Sequence, residues 1–219
     1  MNEDRSYPQG IEGSSLAERL HALEALYAEA DAACATFLGQ ARLSFPARTH
    51  GGLPFGCPDG CGACCERFVP DILPLEADYA ALWILRNRPE LAEVGPRSSA
   101  PCPYYDADNA AAHCRIYGGR PLICRLFGFS AVVGKDGEAS YSLCWKMPLP
   151  EGARTRSWGG RDLAETFGAS PPLMARFGLK LEALSPPARH PRPLLGEAIN
   201  DSIGKLRLLL SLASGDLSA

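Results

Sequence analysis

Several features that would assign this chain to a common functional class are missing from it. It has no basic excess: 22 Lys and Arg stand against 25 Asp and Glu, a net charge of -3, so nothing is set aside to neutralise phosphates and nucleic acid is not an expected partner. It has no polyacidic tail, internal repeat or low-complexity tract. It also has no long apolar run. The longest, Leu206 to Ala213, is interrupted and far short of the roughly 20 apolar residues that span a bilayer. The first residues, Met1-Asn2-Glu3-Asp4-Arg5, lead into no apolar segment, so a soluble, cytoplasmic, reducing location with no membrane partner is expected. What remains is ordinary globular composition, 46% hydrophobic and 21% charged over 219 residues, enough for one domain with its own core.

Cysteine is what the chain has in excess. Nine are present, at positions 34, 57, 61, 64, 65, 102, 114, 124 and 144, and eight of them lie between Cys57 and Cys144. A chain of this length does not need disulfides to fold, and in a reducing compartment clustered thiols read as metal ligands or redox groups. Cys34 is the exception. It falls on the apolar stripe of a helix that runs through Leu16, Leu20, Leu23, Tyr27, Ala30, Phe37 and Ala41, after a capping pattern Ser15-Leu16-Ala17-Glu18, and is expected to be a small buried hydrophobe.

The densest group is Cys57-Pro-Asp-Gly-Cys61-Gly-Ala-Cys64-Cys65. Thiols two or three residues apart converge on one ion only where the backbone turns sharply, and Gly60 and Gly62 flank Cys61 for that purpose. Soft sulfur selects zinc or iron–sulfur over magnesium or calcium. The Cys57-x3-Cys61-x2-Cys64 spacing is also that of the cluster-binding triad in radical S-adenosylmethionine enzymes, but residue 63 is Ala where an aromatic is usual, and the repeated strand–helix units of a barrel are missing.

A second group follows: Cys102-Pro-Tyr-Tyr-Asp, His113-Cys114-Arg115-Ile116-Tyr117 and Arg120-Pro121-Leu-Ile-Cys124-Arg125. With Gly62-Ala63-Cys64-Cys65, these elements resemble the YkgJ-type cysteine-cluster family over residues 57 to 144, although the first gap is three residues where many relatives have two. The resemblance implies a zinc- or iron-chelating domain. That family includes a flagellin lysine methylase proposed to work with an iron–sulfur cluster.

Cys57, Cys61, Cys64, Cys65, Cys102, Cys114, Cys124 and Cys144 are therefore the expected metal ligands, enough for two four-thiolate sites or for one cluster and one zinc. Adjacent Cys64 and Cys65 can serve different sites. Metal held in four thiolates keeps negative charge, and Arg120 and Arg125, bracketing Cys124, are expected behind the sulfurs, donating charge-assisted hydrogen bonds to them. Pro121 should fix the turn before Cys124. Tyr117 is expected in the core, His113 facing solvent, and Asp106 and Asp108 capping a turn.

Around this segment, Pro74-Leu75-Glu76 starts a helix that ends near Pro89, with Leu75, Tyr79 and Leu82 on one side. Residues 101 to 144 read as short extended pieces and turns, including a hairpin around Gly134-Lys135-Asp136-Gly137 with Cys144 just past its second strand. Ser44 to Gly56 reads as a loop, and the chain from Trp145 to about Pro172 as irregular. Helices follow at Leu173 to Leu184 and Leu194 to Ala213, the latter with Leu195, Ile199, Ile203, Leu206 and Leu210 as its buried stripe. Between them Arg189-His190-Pro191-Arg192 reads as a solvated connector.

The expected fold is α+β: a mostly helical domain enclosing a loop- and hairpin-rich cysteine site. Residues 1–56 form an N-terminal helix and linker, 57–144 the metal-binding core and 145–219 a C-terminal region packing on it. A cytoplasmic metal-binding protein is the leading reading, with a cluster-dependent enzyme or a zinc-shaped interaction adaptor as alternatives.

Overall fold

The computed structural model describes residues 7–45, 54–95, 97, 99–187 and 190–214. Residues 1–5, Arg189 and most of the Ser44 to Gly56 loop lie outside the described residues. The fold is α+β, mostly helical, with one small antiparallel sheet. No described helix is long and apolar enough to cross a membrane.

The long helix α1 (Ser15–Ser44) buries Leu20, Leu23, Tyr27, Ala30, Cys34, Phe37 and Ala41, the stripe that its apolar spacing predicts. Its cap is one residue earlier than the sequence pattern suggests: the Ser14 hydroxyl accepts from the Ala17 N–H at 3.3 Å. Helix α3 (Pro74–Asn87) starts on Pro74, where a missing N–H costs nothing, and stops before Pro89. It packs most extensively against α7 (Leu195–Ser214), which buries Leu195, Ile199, Ile203 and Leu206. Inside that joint, buried Asp78 accepts from Ser202 at 2.8 Å and from the Lys205 ammonium. Helix α6 (Met174–Leu184) lies on α1, with Lys180 donating to Glu29 at 2.6 Å.

Two short helices interrupt stretches that read as turns: α2 (Ala63–Arg67) and α4 (Leu122–Leu126). Neither completes two turns, so neither shows a repeat in the sequence. The hairpin is present as β1 (Val132–Val133) and β2 (Ala139–Ser142), paired Val132 to Ser140 and Val133 to Ala139. A third strand, β3 (Ser157–Gly159), pairs with β2, and α5 (Asp162–Phe167) follows it, both in the region that reads as irregular. Of the Pro-rich connector, Arg192 pairs with exposed Glu182 at 2.7 Å.

The interior divides in two. An aliphatic core formed by α1, α3, α6 and α7 contains Leu20, Leu23, Leu75, Ile84, Leu181 and Ile203. An aromatic core lies at the C-terminal end of α1, where Phe37, Phe55, Tyr141 and Phe167 meet. Segment 101–144 contributes to both, with Tyr104, Ile116, Leu122, Leu126 and Tyr141 at 2% exposure or less. Apart from the hairpin, the sequence shows few apolar positions there at helical or strand periodicity, yet these side chains are buried. Its anchors come singly or in pairs from turns, the short helix α4 and strand β2, so they have no long period to read.

Candidate metal centre

The cysteine segment lies where the two cores meet. Cys102 is buried in the aliphatic core and Cys65 and Cys114 pack against it, whereas Cys144 packs against the aromatic core. The first knuckle turns at Pro58, whose carbonyl accepts from the Cys61 N–H at 3.1 Å, and passes into α2, which carries Cys64 and Cys65. Glycine is required twice here. Gly60 has φ +67°, and a Cβ on it would stand 2.4 Å from the Ala111 carbonyl oxygen; a Cβ on Gly62 would stand 2.4 Å from Cβ of His113. The loop around residues 105–113 thus rests directly on the knuckle backbone.

That loop brings two more thiols back to the knuckle. The Cys102 N–H donates to the Cys65 carbonyl at 2.7 Å, and Tyr105 pairs with Cys114 in an antiparallel bridge, flanked by Arg115 N–H to Tyr104 carbonyl at 2.9 Å. Asp106 caps the turn by accepting from the Asp108 N–H at 3.1 Å. His113 does not simply face solvent: its Nδ1 is 2.7 Å from the Asp106 carbonyl oxygen, and its ring lies against Tyr105. Cys124 sits in α4, its N–H bonded to the Pro121 carbonyl at 3.0 Å. Cys144 follows β2 in a turn held by Arg156, which donates to the carbonyls of Cys144 at 2.7 Å and Met147 at 2.5 Å. No short-range pattern pointed to Arg156, because the segment it belongs to shows no period.

All nine cysteines are free thiols. The Cys64 and Cys65 sulfurs are 3.9 Å apart, close to the edge of about 3.8 Å that a tetrahedron with 2.3 Å zinc–sulfur bonds would have. The Cys65 thiol also meets those of Cys102 and Cys114. The Cys57 thiol meets that of Cys61, and Cys144 and Cys64 lie within electrostatic reach of it. The donor set is soft and uniform, which fits zinc or iron better than hard cations. Among the described residues no three such groups already stand in the closed geometry of a bound ion.

The charges divide these thiols unevenly. A hydrogen bond from Cys65, helped by backbone N–H groups and Arg120, draws Cys64 down to about 6 against the opposing effect of burial. Cys114 is drawn down to about 7 by the Cys65 thiol, with the Ile116 N–H and Arg120 assisting. Cys102 is lowered by the same Cys65 thiol and the Tyr104 N–H. Cys65, the shared partner, is raised. Partial burial of the sulfur, then Cys61 and Cys144, push Cys57 up to about 12 although the residue as a whole is exposed. Burial raises Cys124.

Cys34 lies apart on α1, buried, and its thiol rises to about 11 mainly through burial. Arg120 donates Nε to the Tyr117 carbonyl at 3.0 Å and stacks over the Tyr117 ring, while its charge acts on Cys64, Cys114 and Cys124. Tyr117 is thus 63% exposed and carries an arginine, not the core residue expected of it. Arg125 directs its nitrogens to the Arg120 carbonyl at 2.9 Å, Asp31 at 2.6 Å and the Gly118 carbonyl at 2.8 Å, with Tyr27 beneath its guanidinium. It therefore holds the segment that carries Arg120.

No curated protein and no solved structure matches the chain. Residues 56–145 match the model of the CxxCxxCC family, described as "Putative zinc- or iron-chelating domain", and they enclose the segment that the cysteines define, as its motifs implied.

Proposed function

We propose that this protein binds metal in the reducing cytoplasm, holding zinc, an iron–sulfur cluster or both through Cys57, Cys61, Cys64, Cys65, Cys102, Cys114, Cys124 and Cys144. The observation that carries this reading is the approach of cysteines from distant stretches of chain: the Cys102 N–H bonds to the Cys65 carbonyl at 2.7 Å, and Cys114, bridged to Tyr105, comes back to the same knuckle. Thiolates brought together this way repel one another until a cation neutralises them, and the metal in turn cross-links the stretches that carry them. Arg120 offsets the remaining negative charge, and Arg125 holds Arg120 in place. Bound zinc would supply a cross-link, and a cluster would add one-electron chemistry.

A cluster-dependent enzyme ranks second, since the described sheet is three short antiparallel strands and not a parallel strand–helix barrel. The adaptor reading has its own support in the aromatic groups exposed beside the thiols. Phe68 and Phe127 stack with centroids 6.1 Å apart, and Trp145 is 52% exposed.

Protein purified anaerobically is expected to contain zinc, or iron with sulfide, in stoichiometric amounts. A broad visible sulfur-to-iron absorption band marks a cluster, and colourless zinc protein marks thiolate sites. Cys64→Ser should lower metal content sharply. Wild-type protein that is folded, reduced and free of metal would remove the reading.

A further inference from the structure

Resting on the adaptor reading, which it deepens by giving the partner's chemistry, we propose that the exposed face made by Phe68, Phe127 and Trp145 with Arg67 and Lys146 docks an acidic segment of a partner protein. Carboxylates of that segment meet the two cations, and an apolar side chain covers the rings.

The face is continuous. Phe68 stacks on Phe127 with ring centroids 6.1 Å apart, and the guanidinium of the preceding residue, Arg67, lies 5.0 Å from the centre of the Trp145 ring. The Lys146 ammonium stands 4.2 Å from the same centre. All three rings are exposed, although aromatic surface of this size is ordinarily buried. They come from three separate stretches, each next to a cysteine. The Phe68 N–H donates to the Cys64 carbonyl at 2.9 Å, Phe127 follows the helix that carries Cys124, and Trp145 follows Cys144. Aromatic rings with arginine among them are the groups that dominate binding at the centre of protein interfaces.

Charge gives the sign of the occupant. Among the described residues neither Arg67 nor Lys146 is paired with a carboxylate. The Trp145 ring holds both cations by its electron-rich π-system, so an arriving carboxylate meets positive charge already in position. A second copy of this chain fits poorly, because a two-fold contact through the face would set its cations against their own counterparts. Nucleic acid fits poorly as well, since two cations on a chain of net charge -3 neutralise few phosphates. A short acidic segment needs only those two charges and the rings beside them.

The test is selection of a phage-displayed library of random peptides on full-length protein purified anaerobically. Enriched peptides should combine Asp or Glu with Phe, Leu or Trp. A fluorescent synthetic copy of the enriched sequence should bind wild type by anisotropy, more weakly as salt rises. Trp145→Ala and Phe68→Ala should each weaken it at least about tenfold. Arg67→Glu combined with Lys146→Glu should do the same, and should instead bind the peptide remade with Lys at each acidic position. Circular dichroism and metal content of every variant should match wild type.

If binding needs Trp145 but the enriched peptides are not acidic, or the charge-reversed variant binds the original peptide as wild type does, the partner's chemistry is wrong and the adaptor reading stands. If no enriched peptide needs Trp145, the adaptor reading falls with the proposal. A single-stranded oligonucleotide that displaces the peptide and binds this face more tightly overturns the proposal in favour of nucleic acid. A wild-type dimer abolished by Trp145→Ala overturns it in favour of a second copy. Metal content is measured separately, so the metal-binding reading stands or falls on its own.

Discussion

The two cores on either side of the cysteine segment are built on different principles. The aliphatic one is made by long helices whose leucines and isoleucines recur at three- and four-residue steps, and each helix brings many buried groups at once. The aromatic one is assembled from the end of α1, the β2–β3 pair and α5, and it depends on a few rings. Phe167 alone meets Phe37, Phe45, Phe55, Tyr141 and Trp158 at centroid distances between 4.9 and 5.7 Å. Redundancy protects the first core against the loss of any one group, and the second has little.

Metal removal should expose this difference most strongly. A thiolate site contributes on the order of 10 kcal/mol to the structure it cross-links. Chelation under reducing conditions is expected to speed amide hydrogen exchange chiefly in residues 57–65 and 102–115, where the glycine knuckle and the returning loop have few regular backbone bonds. Residues 116–143 should change less, since Ile116, Leu122, Leu126 and Tyr141 remain buried, and α1 least of all. Slow exchange across 57–65 after complete chelation would make the metal an accessory to a preformed fold.

Phe167→Ala comes next. It removes a fully buried ring at the centre of the aromatic cluster and should cost about 3 to 5 kcal/mol by chemical denaturation, with loss of near-ultraviolet dichroism. A loss below about 1 kcal/mol would show that the rings repack and that this core is as redundant as the other.

The cysteines repeat the contrast on a smaller scale. Cys34→Ala should leave metal content unchanged and cost on the order of 1 kcal/mol, because Cys34 fills space on α1. Buried and with its thiol raised to about 11, Cys34 should also be alkylated well after Cys64 and Cys114 at neutral pH in the metal-free protein. Metal loss in Cys34→Ala would bring that residue into the centre.

What was legible in the sequence follows the same line. Helices α1, α3, α6 and α7 and the hairpin are visible because apolar spacing or a glycine-bounded turn repeats over enough residues to be read. Helices α2 and α4 and strand β3 are too short to repeat anything, so their positions depend on contacts made elsewhere in the chain. The density of cysteine marks the site, but its internal arrangement does not follow from order along the chain. Cys65 lies against Cys102 because of one backbone hydrogen bond across 37 residues. Tyr117 reads as a core residue by its type, but it is held at the surface by Arg120, a pairing that only the turn between them creates.

Glu76 sets a limit on which sequences this frame can accept. Its carboxylate, buried in α3, takes the Leu73 N–H on one oxygen at 3.2 Å, and on the other the Leu122 N–H at 2.7 Å and the Tyr27 hydroxyl at 3.1 Å. One side chain thus fastens the start of α3, the middle of α1 and the first residue of the helix that carries Cys124. Burial holds its carboxyl above the ordinary range, with those donors opposing the shift. Glutamine would keep the shape but aim an N–H at one of these donors, aspartate would fall a carbon short of both backbone groups, and alanine would leave them with nothing to bond. Among sequences that adopt this frame, position 76 should therefore vary far less than the leucines around it, and a change there should come with changes at Tyr27 or around Leu122.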